Sequence, residues 1–214
     1  NWEIPFEKTY SELEKLQQEG KIRHVGLSNF GKRDLTDMLQ VGRCEINQLP
    51  YNLLFRAIEY EVMPVCLENQ VSIACYSPLL HGVLADKYPT IAEVPENRGR
   101  TRHFSSQTHQ QTRHGGPGAE AETQEALDNI RAICADIGKP MVQVALAWLL
   151  SRPGVASVIA GAGNVNQIKA NAAVTEIELS QDTLTALDNA TAKLRMKLGS
   201  NVDMWDVGAK SRVR

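Results

Sequence analysis

His24-Val25-Gly26-Leu27-Ser28-Asn29 is a short apolar run that breaks off on a hydroxyl and an amide. Three further runs end the same way, on polar or glycine-rich clusters: Glu45-Ile46-Asn47-Gln48, Val71-Ser72-Ile73-Ala74-Cys75-Tyr76-Ser77 and Ser157-Val158-Ile159-Ala160-Gly161. Helical stretches separate them. This is the layout of an α/β protein with parallel strands whose carboxyl ends carry the working residues, as in a (β/α)8 barrel of the TIM type. A complete barrel has eight such strands and usually runs to about 250 residues. Four strands in 214 residues amount to half of one. The expectation is a chain that displays a binding face and lacks part of the catalytic machinery.

Working outward, Thr9-Tyr10-Ser11-Glu12 reads as a capping box, followed by a stripe of Leu13 and Leu16 that closes at Gly20. That helix feeds a strand over 22–28. It has no strand of its own before it, because the eight residues ahead of Thr9 include Pro5 and no β-run. The orphan helix implies that something upstream is missing. A helix over 32–41 follows, with Leu35, Met38 and Leu39 on one face and Gly42 as its stop. Then come a strand over 45–48, a helix around 60–69 with Pro64 in its first turn, and a strand over 71–77. The segment 85–119, rich in His, Arg, Gln, Gly and Ser, reads as a long solvated lid. Helices over 123–137 and 141–151 precede the last strand at 155–160. One helix starts at Asn164 and another at Ser180, the latter with Leu184, Leu187 and Leu194 facing the core. The tail from Leu198 to Trp205 is irregular. The whole, 1–214, reads as one domain.

With 43% hydrophobic and 22% charged residues, the composition is that of a soluble globular domain. A net charge of -2 offers no electrostatic attraction to nucleic acid or to an anionic membrane. The longest apolar run, Val142 to Leu150, is far short of the ~20 residues that span a bilayer. Asn1-Trp2-Glu3-Ile4-Pro5 has neither the basic nor the apolar part of a signal peptide. Cys44, Cys66, Cys75 and Cys134 are widely spaced in apolar surroundings and read as reduced core thiols of a cytoplasmic protein.

Ser28 and Asn29 end one strand and Gln48 ends the next, which brings amide and hydroxyl groups to one crevice above the sheet. A primary carboxamide such as that of nicotinamide needs this mix of donors and acceptors. Capping of strands or helices, with Asn29 as an N-cap, accounts for the same residues. Tyr76 at the third strand end suits a planar heterocycle, though tyrosines at strand ends also simply pack. Gly161-Ala162-Gly163-Asn164-Val165-Asn166-Gln167 joins strand to helix, where backbone N–H groups and the helix start favour a phosphate. An ordinary glycine turn capped by Asn164 is the plainer reading of it. His81, His103, His109 and His114 match no metal spacing, so a ligand role is the weaker reading and no metal is expected. For Arg98, Arg100, Arg102 and Arg113, phosphate contact and free solvation both stand.

Together these stretches resemble the aldo-keto reductase superfamily. The specific ones are Gly20 to Phe30, Asn47-Gln48-Leu49-Pro50-Tyr51-Asn52, and Tyr76-Ser77-Pro78-Leu79 followed by Gly82 to Tyr88. The likeness runs from about Tyr10 to Trp205 in the family's own order. It implies an NADP(H)-dependent oxidoreductase reducing aldehydes or ketones on a (β/α)8 barrel, this chain supplying strands five to eight. By the same resemblance, Ser28, Asn29 and Gln48 would hold the nicotinamide carboxamide and Tyr76 would lie under the ring. Ser77, Leu79, Gly82 and Leu84 would follow the pyrophosphate. Gly161, Ala162, Gly163 and Gln167 would surround the adenosine 2′-phosphate and ribose, with Asn171 near the adenine. Gly163 and Ala170 depart from the family's usual basic or hydroxyl residue and Glu, which leaves NAD possible beside NADP.

The family's catalytic Asp, Tyr, Lys and His lie upstream of Ser28, and none has a matching position in this chain. No catalytic residue is therefore expected here. The alternative to a reductase half is a catalytically silent half-barrel that binds nucleotide or assembles. A half-barrel leaves both sheet edges exposed, so a homo-oligomer is expected. The partner expected of the reductase is a small-molecule carbonyl substrate, with neither nucleic acid nor membrane.

Overall fold

The structure is a computed structural model that describes residues 4–206 together with 211 and 213. The signal-peptide reading of Asn1 to Glu3 lies outside the described residues. A four-stranded sheet forms the centre, its strands in sequence order and all parallel: β1 (Gly26–Ser28), β2 (Ile46–Pro50), β3 (Ser72–Tyr76) and β4 (Val155–Val158). Eight helices lie among the described residues: α1 (Phe6–Gln18), α2 (Lys32–Val41), α3 (Val62–Glu68), α4 (Glu120–Asp136), α5 (Met141–Leu150), α6 (Val165–Ala172), α7 (Gln181–Ala190) and α8 (Ala192–Leu198). No single one is long and apolar enough to cross a membrane.

The ladder sets which side chains share a face. Gly26 pairs with Ile46 and Ser28 with Gln48, Ile46 pairs in turn with Ser72 and Gln48 with Ala74, and Ala74 pairs with Ser157. Because in-register parallel residues project together, these side chains line one face. The intervening residues Leu27, Leu49, Ile73, Cys75, Val155 and Val158 line the other, where they meet the helical core around Trp148, Leu127 and Ile58. Leu49 and Ile73 are wholly buried. Burying side chains of this size contributes about 1.5–3 kcal/mol each relative to leaving them exposed.

Several expected boundaries move. The capping box at Thr9 is interior to α1, which starts after Pro5; the Thr9 N–H already bonds the Pro5 carbonyl, so no orphan donor is left for a cap. β1 keeps only the last three residues of 22–28, because its partner strand begins at Ile46. β2 runs on to Pro50, β4 stops at Val158, and α4 begins at Glu120, three residues early. Gly42 does end α2, in an extended conformation, where a Cβ would lie 2.1 Å from the Tyr10 ring. The helix expected from Ser180 breaks into α7 and α8 at Thr191, whose buried hydroxyl accepts from Arg56 Nη1 at 2.9 Å. Arg56 also holds Glu59 with two hydrogen bonds and the Asp188 carbonyl, which ties the segment after β2 to α7.

The solvated lid is the largest correction. His103, Phe104 and His109 in 85–119 are buried, and each imidazole pins a carbonyl. His103 Nε2 lies 2.9 Å from the Leu54 oxygen, His109 Nε2 2.9 Å from that of Val94, and His114 Nε2 3.2 Å from that of Thr101. Histidines absorbed in such contacts become part of the wall. Polar composition suggested solvent because it does not reveal that the polar groups satisfy one another.

Candidate functional site

The carboxyl ends of β1, β2 and β3 carry a connected polar rim. Asn29, just past β1, has φ 59 and is not the helix cap; Gly31 occupies the N-cap of α2. Left-handed backbone is uncommon outside glycine, and asparagine tolerates it best. It turns the carboxamide toward Tyr76, whose hydroxyl donates to Asn29 Oδ1 at 2.8 Å, across the end of β2. Asn29 Nδ2 reaches Ser28 Oγ at 3.4 Å. The side-chain amide of Gln48, half-buried between them, has no hydrogen-bond partner among the described residues, while its carbonyl accepts from the Asn29 N–H at 2.9 Å. Burial and the nearby Asp203 push the Tyr76 hydroxyl well above its ordinary range, only partly offset by the Asn29 bond. That phenol is a poor acid and a good flat surface.

Two buried asparagines position this rim, and the sequence reading gave neither a role. Asn47 projects to the core side, where its Nδ2 donates to the Phe30 carbonyl at 2.9 Å and fixes the turn after β1. Asn52 Nδ2 donates to the Ser77 carbonyl at 3.0 Å while its Oδ1 accepts from the Leu54 and Phe55 N–H groups. Ser77 sits at φ 52, followed by Leu80, His81 and Gly82 at positive φ. Such strain persists only where the surroundings over-determine it, and Asn52 supplies part of that restraint. A buried Asn amid apolar neighbours was the available signal.

Ser77, Leu79, Gly82, Gly161, Ala162, Gly163, Gln167 and Asn171 all line one cavity of about 600 Å³ between the β3 and β4 loops. Leu84 does not join them: it is buried in the core, and its N–H bonds the Leu79 carbonyl. Ser28, Asn29, Gln48 and Tyr76 lie on the rim beyond the cavity. Two cations also line it, Lys87, which the sequence reading left without a role, and Arg98, for which phosphate contact and free solvation both stood; neither is paired with a carboxylate among the described residues. Arg131 sets the Lys87 loop by bonding Asp86 at 2.8 Å and the Tyr88 carbonyl at 2.7 Å. Gly82, at φ 106, lets the chain pass under Lys87; a Cβ there would meet the lysine Cδ at 3.2 Å.

At the far end, Asn164 caps α6 by accepting from the Gln167 N–H at 3.0 Å, and Gln167 Oε1 takes the Gly163 N–H at 2.7 Å. Asn171 Nδ2 reaches the Gly161 carbonyl at 3.4 Å. The plainer reading, a glycine turn capped by Asn164, holds locally, since two of its N–H groups are already satisfied by side chains. His81 Nδ1 lies 3.2 Å from the Arg98 carbonyl, and burial holds this imidazole below its ordinary range. Among the described residues no three His, Cys, Asp or Glu groups converge on a metal position.

Fold and rim together define an α/β protein whose polar cavity lies at the carboxyl ends of parallel strands, where such folds take their ligands. The chain belongs to the aldo/keto reductase family, whose sequence model matches residues 2–192. It is 28% identical over 183 residues to the NADH-specific methylglyoxal reductase of Escherichia coli, covering 86% of this chain and 53% of that protein. It is 32% identical over 188 residues to methylglyoxal reductase YeaE of the same organism, with 86% and 54% covered. Among solved structures, the thermostable aldo-keto reductase Tm1743 in complex with the inhibitor epalrestat matches with a TM-score of 0.64 at 26% identity, over 89% of this chain and 56% of that one. A Klebsiella pneumoniae aldo-keto reductase in complex with NADPH matches with a TM-score of 0.60 at 28% identity, over 87% and 54%. The chain thus spans about half the length of the curated relatives it matches.

Proposed function

We propose that this chain is the nucleotide-binding half of a carbonyl reductase: one folding unit, the C-terminal four βα units of a (β/α)8 barrel, that takes NADP(H) and also accepts NAD(H). The observation that carries the reading is the continuity of the site, from the Tyr76 rim through the strained Ser77 turn into the 600 Å³ cavity with its unpaired Lys87 and Arg98. Its donors fit a dinucleotide. Tyr76 offers a flat surface, the open Gln48 amide and the Ser28 hydroxyl suit a carboxamide, and Lys87 and Arg98 suit a pyrophosphate. Small residues at 161–163 leave room beside the chain, since a Cβ at Gly161 would meet nothing within 4 Å. When bound, the cofactor supplies hydride; this chain's residues bind and orient it. Relatives named for methylglyoxal reduction support small carbonyl compounds as the substrate class.

Proton donation belongs to the rest of the barrel in this reading. Four of the five tyrosine hydroxyls of this half have other partners: Tyr10 the Arg43 backbone, Tyr51 Glu59, Tyr60 the Arg195 carbonyl and Tyr76 Asn29; the Tyr88 hydroxyl, on the cavity wall, has none among the described residues. None of these partners is a lysine or histidine that would lower a phenol's pKa toward working range. An apolar pocket of about 240 Å³ beside the edge strand β1, lined by Phe6, Leu13, Val25 and Met38, suits a preceding strand and helix. Standing alone, the half is expected to cover its open face and edges with a second copy of itself. A cytoplasmic setting fits four buried thiols, with Cys66 and Cys75 pushed up by burial to about 12.

NADPH fluorescence titration of the purified chain tests the reading. Saturable binding is expected, weakened about tenfold or more by Lys87→Glu, and no binding at all overturns it. With 4-nitrobenzaldehyde and NADPH the chain alone is expected to show no turnover. Rates near ~1 per second would show that this half carries its own proton donor.

A further inference from the structure

The segment after α8 is short, irregular and firmly held. The Arg102 N–H donates to the Met204 carbonyl at 3.0 Å, and its guanidinium bonds the carbonyls of Asn201, at 2.7 Å, and Leu198. Asp203 Oδ1 accepts from the Trp205 N–H at 3.0 Å, and its Oδ2 accepts from Ser211 Oγ at 2.6 Å. Val202 and Met204 are buried on either side. These anchors deliver the half-buried Trp205 onto Tyr76, with the two rings 11° from parallel and their centroids 6.1 Å apart.

Trp205 thereby covers one face of Tyr76, and a ligand ring on that face would conflict with it. A ring inserted between two others needs about 7 Å between them, twice the ~3.5 Å contact distance of carbon atoms. The present spacing falls short of it. A ring that passes hydride to a carbonyl must also show its outer face to the substrate, so an indole cannot stay stacked over it. We propose that Trp205 is an aromatic gate: it occupies the ring position at Tyr76 and withdraws when a nicotinamide takes that place. The inference rests on the nucleotide-binding reading above. The gate acts on the ring end of the site alone, since the cavity that would take the phosphates is lined by other elements.

The experiment compares wild type, Trp205→Ala and Trp205→Phe in titrations with NADPH and with 2′-phospho-ADP-ribose, which lacks the ring. Trp205→Ala is expected to bind NADPH about two- to tenfold tighter, because an aromatic contact need no longer be broken, and to bind 2′-phospho-ADP-ribose as wild type does. Trp205→Phe retains the stack and should stay near wild type. NADPH should change the tryptophan emission of wild type by more than that of Trp205→Phe, in which Trp2 and the wholly buried Trp148 remain. Unchanged or weaker NADPH binding by Trp205→Ala, with 2′-phospho-ADP-ribose still bound, overturns the gate and spares the nucleotide reading. Failure of all three proteins to bind either ligand overturns both.

Discussion

The two faces of the sheet are written in different alphabets. Toward the helices stand Leu27, Leu49, Ile73, Cys75 and Val155, closed over by a core that includes Trp148 and Leu127. On the other side stand Gly26, Ser28, Ile46, Gln48, Ser72 and Ser157, half-buried or exposed, and the buried Ala74. One face is finished, with every side chain packed. The other is small and polar, and it leads at its carboxyl end into the rim of Tyr76, Asn29 and Gln48. Stability is concentrated on the first face and binding chemistry on the second, so substitutions should separate the two properties cleanly.

Neighbours on one strand give the sharpest contrast. Leu49→Ala removes a wholly buried side chain and is expected to lower the unfolding free energy by about 2–5 kcal/mol. Gln48→Ala, one residue earlier and on the opposite face, should change it by no more than about 0.5 kcal/mol. Urea denaturation of both variants decides the matter. A cost at Gln48 approaching that at Leu49 would mean that the open face is covered in solution.

The finished side also contains a titratable weak point. His103 is buried, and loss of hydration holds its pKa near 4, below its ordinary value, despite the bond to the Leu54 carbonyl. The unfolded chain therefore takes up this proton first as pH falls. The stabilisation is complete above the unfolded pKa of about 6.5 and is lost progressively toward 4. Between pH 7 and 5 the unfolding free energy is expected to drop by about 2 kcal/mol through this group. Denaturation curves at both values should show it, and His103→Gln should flatten the difference. Ser28, Gln48, Ser72 and Ser157 on the open face do not titrate in this range and contribute nothing. An equal acid loss in His103→Gln would place the weak point elsewhere.

Much of this contrast was legible in the sequence. The four runs became four parallel strands in order, because short apolar segments between helical stripes have few other places to go. Helix 32–41 was found to the residue, since Leu35, Met38 and Gly42 mark its face and its stop. The rim was less legible. Its residue types were visible at the strand ends, but the left-handed Asn29 and Ser77, and the Asn52 amide that restrains Ser77, follow from tertiary closure. Lys87 went unmarked, and Arg98 was not told apart from Arg100, Arg102 and Arg113, because cations look alike in sequence until a cavity wall gathers them. The 85–119 segment misled for the opposite reason. Its histidines are polar by composition, yet His103 and His109 are buried and His114 is half-buried, each satisfied by a carbonyl that is remote in sequence or set by the loop's own turns.

The smallest expected effect lies on the open side and leaves the core alone. Gly163 is exposed, and a Cβ there would meet only Gln167 Oε1, at an ordinary 3.5 Å. Its N–H is already bonded to that same oxygen, and the Gln167 N–H to Asn164, so the turn has few free donors for a 2′-phosphate. Discrimination between NADPH and NADH should accordingly be shallow in the wild type. Gly163→Arg adds a fork of donors at the cavity wall. A charge-assisted hydrogen bond contributes about 1.5–3 kcal/mol when shielded from water, and solvent screening at an exposed turn reduces that to about 1 kcal/mol. The ratio of NADPH to NADH affinity should therefore rise about fivefold, with no shift in the urea midpoint. A wild type that already prefers NADPH several hundredfold, or a variant whose ratio does not move, would mean that the phosphate is met by other residues and that the turn at 161–164 is only a turn.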